Sequence, residues 1–441
     1  MKICFIPIDN RPVCYNLVKD ICEIDSDIEL FLPPRDFLGD LTKIANIESL
    51  LAWLKSCSKC DAIIISLDTI AYGGLIPSRR SEESFEEIKN RIEKLKDILK
   101  EKNAKVYAFT SIMRISNNNY NEEEKEYWKD YGKKIFEYSF SGGKNKSDIP
   151  QDILDDYLNT RKRNFEINKL YLEWQKEGLL DTLIFSKDDC AEFGFNVDEA
   201  KELESLGGKT KTGADEIPLT LLSRSIQKEI KIYVEYTEPD CVDLISNYED
   251  VSIEKTVQGQ LELGNFKIVE SQEESDIVLI VNNFREKQGE LVMGWETGGK
   301  YNGNFISPSK PYCVADVRYA NGADNCFVEK FLPQLDLNDF YGYSGWNTSA
   351  NTLGSLLAGI KVKFKAQNYN EEAFKRLQLI RFLDDWAYQA NVRSLIPALQ
   401  DISNEMKPFE DEIFKVLNLT VENQPKYNYP WNRKFEIEVN F

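Results

Sequence analysis

Apolar positions along this chain fall in short runs that end in polar or glycine residues and give way to amphipathic stretches. The clearest runs are Ile3–Ile8, Ile63–Leu67, Val106–Thr110, Leu183–Ser186, Ile232–Tyr236, Ile277–Val281, Tyr312–Ala315 and Tyr341–Tyr343, with a shorter ninth at Leu30–Pro33. Each is too short for a buried helix and is rich in β-branched or aromatic residues, so each reads as a strand. Between them the helical period recurs over Glu82–Lys100, Asn164–Glu177, Asp198–Leu206 and Ile217–Lys228. Strand and helix in alternation predict βα units on a parallel sheet.

The strand ends carry the chemistry. The sequence at successive ends reads Asp9-Asn10-Arg11-Pro12, Asp68 with Tyr72-Gly73-Gly74, Met113-Arg114 and Asp188-Asp189. It continues with Asn282-Asn283, Asp316 with Asn321-Gly322-Ala323-Asp324, and Trp346-Asn347-Thr348. Side chains at the C-terminal ends of parallel strands gather on one face, where α/β folds hold their ligands. Polar groups after nearly every strand favour a closed (β/α)8-like barrel, in which all ends ring one centre; an irregular or two-domain α/β arrangement is the alternative. The expected division is a barrel-like catalytic domain over 1–365 and a helical and extended region over 366–441. In that region Glu371–Leu399 reads as helix and Tyr427–Phe441 as extended chain. Asn117–Lys134 reads as a charged insertion and Lys144–Asp148 as an exposed turn; either could edge a substrate cleft.

Composition narrows the chemistry. With 74 acidic against 55 basic residues, the formal charge of -19 opposes binding to nucleic acid or to an anionic membrane. The N-terminus, broken by Pro7 and Asp9, lacks a signal peptide's apolar region, and no run reaches the roughly 18 apolar residues of a membrane span. The 9 cysteines are scattered, as reduced thiols are, and the expected compartment is the cytoplasm. There is no histidine. Ser-His-Asp and Cys-His catalysis and the common His-containing zinc sites are thereby excluded, leaving carboxylates, Tyr, Lys, Arg and Asn.

The segments IDNRPV, LDTIAYGGLIPSR, SIMR, NTRKRNFEIN, KDDCAEFGFN, TGADE, DVRYANGAD, GWNTSANTLG, DDWAYQANVR and PWNRKFEI together resemble the bacterial family labelled domain of unknown function 4127, from the first strand to the last residues. That label carries no activity. In the family pattern Gln usually precedes the paired aspartates; here the residue is Lys187. A strand ending in two aspartates, with a later Trp-Asn strand end, is also similar to barrel glycosidases of the O-GlcNAcase type. This second resemblance implies that Asp188 polarises a substrate acetamido group, that Asp189 is the general acid/base, and that Trp346 and Asn347 contact the sugar.

The residues themselves support part of that scheme. Adjacent carboxylates couple, so one holds its proton near neutral pH while the other ionises, and glycoside cleavage uses such a split. Successive residues on a strand face opposite ways, so both reach one ligand only where the strand bends or ends. Arg11, Asp9, Asp68, Tyr72, Arg114, Asn164, Asp215, Asp316, Asn321 and Asp324 complete the expected substrate-binding set. For each a structural role competes: Asp9 with Arg11 could brace a loop, Asn164 could brace a helix, and Asp215 could be an ordinary first-turn residue. The expected activity is a glycoside hydrolase for a small sugar such as an N-acetylhexosaminide, without a cofactor. A divalent cation held by Asp9, Asp68, Asp188 and Asp316 would instead make a metal-dependent hydrolase or lyase, and an inert pocket would make a binding protein. Cys57-Ser58-Lys59-Cys60 has redox or zinc-ligand spacing without a second pair nearby, which favours packed thiols.

Overall fold

A computed structural model describes residues 1–57, 59–146, 148–420 and 424–441. Ser58, inside the Cys57–Cys60 motif, and Ser147, inside the expected Lys144–Asp148 turn, lie outside the described residues. All nine expected strands form, but they hydrogen-bond into two open parallel sheets. A closed ring of eight is not among them. The contacts divide the chain into two compact units, the first comprising Met1–Tyr15, Ile28–Leu221 and Tyr248–Asp250, the second Asn16–Asp27, Leu222–Asn247 and Val251–Phe441. Residues 366–441 thus belong to the same unit as the 251–365 segment.

The sheet of the first unit contains β1 (Lys2–Ile6), β2 (Glu29–Phe31), β3 (Ala62–Ser66), β4 (Lys105–Ile112), β5 (Thr182–Lys187) and β6 (Thr210–Thr212), in the order β2-β1-β3-β4-β5-β6. Its register aligns Cys4 with Ile63, Ile63 with Val106 and Ala108 with Leu183. Because side chains alternate, these residues share one face, and they meet Leu50, Leu54, Ile92, Leu95, Ile167 and Trp174 from the covering helices. Ile3, Phe5, Ile64, Phe109 and Ile184 on the other face are also fully buried. A strand buried on both sides reads as a continuous apolar run, as these do. The helix Phe85–Lys100 starts at a capping box, Ser84 with Glu87, and buries Ile88, Ile92, Leu95 and Leu99 at helical spacing.

In the second unit β7 (Ile230–Tyr236), β8 (Phe266–Ile268), β9 (Ile277–Asn282), β10 (Tyr312–Asp316) and β11 (Phe340–Ser344) run in the order β11-β10-β9-β7-β8. Counted in chain order within each unit, both sheets have the doubly wound sequence 2-1-3-4-5, with a sixth strand added in the first. Right-handed crossovers that reverse direction after the second strand place helices on both faces, and ligands of such sheets bind beyond the strand ends at the reversal. The helices Ile253–Leu263 and Ser349–Lys365 supply Ile253, Val257, Leu261, Leu353, Leu357 and Ile360 to one core of this unit.

The expected helix over Glu371–Leu399 is divided. Glu371–Arg381 is α-helical, Phe382–Val392 takes the wider π form, and Arg393–Leu395 closes the stretch. The expected extended end forms an antiparallel ribbon, Lys426–Asn428 with Glu438–Asn440. Among the described residues no helix is long and apolar enough to cross a membrane.

Candidate functional site

The paired aspartates stand where β5 stops. Lys187 is the last strand residue, and Asp189 has a positive φ of 35°, so the chain leaves the pleat between the two carboxylates. That turn removes the alternation that would aim them apart. Arg114 Nη1 lies 3.1 Å from Asp189 Oδ2 and 3.8 Å from Asp188 Oδ2, and the pair therefore converges on one guanidinium nitrogen. The Asp188 side chain is 15% exposed and that of Asp189 30%. Burial, and then the charge of Asp189, pushes Asp188 up to about 7, against the pull of Arg114 and Arg79. Burial likewise raises Asp189, with Arg114 opposing it.

Two arginines and two glutamates frame the pair. Arg79, on the short helix Leu75–Arg80, places Nη1 3.1 Å from Asp188 Oδ2 and Nε 3.3 Å from Glu124 Oε1. Arg114 follows β4 and donates from Nε to the same Glu124 oxygen at 2.9 Å. Its Nη2 lies 3.1 Å from Glu123 Oε2. Glu123 and Glu124 lie within the insertion expected at Asn117–Lys134. Beside them an open recess of about 650 Å³ is lined by Arg80, Asn121, Glu124, Lys125, Tyr127 and Asp156, so the insertion does edge a cleft.

At the reversal between β1 and β3, Arg11 bridges two carboxylates. Its Nη2 is 2.7 Å from Asp9 Oδ2 and 2.6 Å from Asp215 Oδ1. Asp9, Cys14 and Asp215 are close enough to surround a cation. The Arg11 guanidinium already occupies their centre, 3.9 Å from Cys14 Sγ, and a fixed positive charge there disfavours an ion. The negative charge of Asp215 also reaches Asp188 and Asp189, raising both.

Asp68, Tyr72 and Asn164 lie deeper. Asp68 is 1% exposed and accepts from Thr110 Oγ1 at 2.9 Å and from Ser111 N at 2.8 Å, while burial lifts it to about 6. Tyr72 is buried under Arg163, whose guanidinium lies 5.6 Å from its ring centre. Asn164 donates to Ser78 O at 2.9 Å and accepts from Arg163 Nη2 at 2.9 Å. It thus fixes the helix that carries Arg79. These residues brace the site from beneath.

Asp316, Asn321, Asp324, Trp346 and Asn347 belong to the second sheet. Asp316 is fully buried, accepts from Asn282 Nδ2 at 2.8 Å and from Asp324 N at 2.8 Å, and is pushed up to about 7 by burial and then by Asp324. Asp324 caps the helix Asn325–Phe331 and pairs with Arg318 Nε at 3.2 Å. Asn321, at φ 61°, donates to Glu290 Oε1 at 2.6 Å, and Asn347, at φ 77°, accepts from Thr348 N at 2.8 Å. Trp346 is 1% exposed and meets Phe435 at 5.7 Å between ring centres, so its ring offers no face to a sugar. The network is closed on itself, and its carboxylates are occupied by backbone and side-chain donors.

Several site residues escaped the sequence reading. Arg79, Glu123 and Glu124 follow no strand end, and nothing in their spacing marks them. Lys187, the last residue of β5, forms a buried pair with Asp250, its Nζ 2.7 Å from both carboxylate oxygens. A lysine at that position is thereby committed to Asp250.

A family model matches residues 3–440, and its description reads Protein of unknown function (DUF4127). No curated protein and no solved structure matches the chain.

Proposed function

The chain belongs to that family, whose description assigns no activity, and we propose from its own geometry that it is a glycoside hydrolase-like enzyme acting on a small sugar, with Asp188 and Asp189 as its acid–base pair. The observation that carries the reading is the convergence of both carboxylates on Arg114 Nη1 at the left-handed exit of β5. Burial and mutual repulsion favour one shared proton near neutral pH, the condition for a general acid beside an ionised partner. Burial and the Asp189 charge favour the shared proton on Asp188, so in this reading the more exposed Asp189 takes that proton when substrate engages Asp188 and gives it to a leaving oxygen. The deeper Asp188, held by Arg79, is placed to orient and polarise an acetamido group whose oxygen attacks the anomeric carbon. An N-acetylhexosaminide is the substrate this division of labour suits. The neighbouring recess has the volume of a small-ligand pocket.

Purified protein assayed against a panel of 4-nitrophenyl N-acetylhexosaminides, before and after dialysis against chelator, tests the reading. Turnover that survives chelation is expected. Failure to turn over any of the panel, or activity lost on chelation and restored by a divalent cation, would reject it.

A further inference from the structure

Lys363 stands in the last turn of the helix Ser349–Lys365, and its Nζ donates to Phe340 O, at the start of β11, at 2.6 Å. Three aromatic rings surround that nitrogen, with ring centres at 3.7 Å for Phe374, 4.5 Å for Tyr341 and 5.5 Å for Tyr369. Tyr341 lies on β11, Phe374 on the helix Glu371–Arg381 and Tyr369 between the two helices, so three separate segments build the cage. The lysine and the three rings also line a cavity of about 330 Å³, together with Asn338 and Lys375. Glu371, at the same cavity, is paired with Lys375 at 2.8 Å, and no carboxylate among the described residues pairs with Lys363. An amine without a carboxylate, beside a cavity at the small end of the range for ligand pockets, is available as a nucleophile. Lys361, two residues earlier, differs: it is fully buried and donates to Lys228 O at 2.7 Å and Asn265 O at 2.8 Å.

We propose that Lys363 is a covalent site for small aldehydes, which it holds as a protonated imine between the rings of Tyr341, Tyr369 and Phe374. Ring faces stabilise a cation, and a protonated imine keeps both the positive charge and one N–H for Phe340 O. An acyl group on the same nitrogen would keep the N–H and lose the charge, so the cage favours carbonyl compounds over acyl donors. Burial also pulls the Lys363 amine down to about 8, with Glu371 and Asp339 opposing it, so a usable fraction is neutral near pH 7.5. Tyr341 and Tyr369 are raised by burial and stay uncharged there, and Glu371 holds Lys375. The amine lone pair attacks the carbonyl carbon, the C=O π pair moves to oxygen, and that oxygen takes the proton the nitrogen gives up. The resulting carbinolamine takes one proton from solvent, expels water and leaves the protonated C=N bond.

The full-length chain incubated with pyridoxal, a single-ring aldehyde, at pH 7.5, reduced with borohydride and mapped by mass spectrometry, should carry the adduct on Lys363. Labelling there should run at least about tenfold faster than at exposed lysines, since each pKa unit changes the neutral fraction tenfold. It should saturate with pyridoxal concentration and have its pH midpoint near 8. Lys361 is also pulled down to about 8 by burial, yet it should stay unlabelled, because its amine is enclosed and held by two carbonyls. Lys363→Arg keeps a cation in the cage and should lose the adduct with an unchanged circular dichroism spectrum. If that variant does not fold, the wild-type adduct map and its pH profile decide alone. Labelling of Lys363 no faster than that of exposed lysines, equal labelling of Lys361, or a rate that rises linearly with pyridoxal without saturating would each overturn the proposal.

Discussion

Asp188 and Asp189 differ by one position and by the company their carboxylates keep, and that difference sets what each substitution should do. With an aryl N-acetylhexosaminide as substrate, Asp189→Asn should be severe for a poor leaving group and milder for an activated one. Asp188→Asn should slow both alike, because it acts on the attacking oxygen. Losses of about a hundred- to ten-thousandfold are expected, read as kcat/KM across a leaving-group series. Equal leaving-group sensitivity in the two variants would leave the site but reject these roles. Lys187 makes a separate case. Lys187→Met leaves Asp250, 8% exposed, without its cation and should cost about 3–5 kcal/mol in urea unfolding, whereas replacing both partners by apolar residues should cost much less. Additive losses would show that the pair is not coupled. At this scale the aspartates were legible because they end a strand. Their arginine and glutamate partners were not, because a salt bridge between residues 79 and 188 leaves no local mark on the sequence.

The element that positions the pair is the exit from β5 to the helix Phe195–Ser205. Gly194 precedes that helix at φ 147°, and a Cβ there would stand 2.4 Å from Ile115 Cδ1. Gly194→Ala therefore combines backbone strain with a clash and should destabilise by about 1–3 kcal/mol. By shifting the Asp188–Gly194 turn it should also lower kcat more than it raises KM. Wild-type stability by urea titration would show that the turn is slack. The strands that meet the core on both faces were all readable as apolar runs. The short edge strands Thr210–Thr212 and Phe266–Ile268 were missed, since three residues are too few to establish a period. Helix ends were less legible too: Gln151–Lys176 starts well before the expected Asn164.

For the whole molecule, buried carboxylates set the pH response. Asp316 at about 7, and Asp68 and Asp385 at about 6, bind protons more tightly folded than unfolded, where an aspartate titrates near 3.8. Stability from these groups is complete below the unfolded value and falls as pH rises through the folded ones, by up to about 1.4 kcal/mol per pH unit for each group within that window. Tm should therefore fall from pH 5 to pH 7.5 in high salt, which screens the net charge of -19, and Asp316→Asn should flatten the slope. A flat or rising wild-type profile would contradict this. Closure of the sheets was the least legible feature, because strand runs identify strands and not their neighbours, and two open sheets need the same apolar runs as one ring. The division of the chain also bears on its synthesis. Residues 16–27 belong with the second unit: Asn370 N bonds to Ile24 O at 2.9 Å and Asn16 to Glu438 at 2.7 Å. A ribosome adding about 5–20 residues per second delivers those partners roughly 20–80 s after the segment itself emerges. For that interval the chain carries an early stretch whose native contacts do not yet exist, and a chaperone that holds nascent chains would find it there.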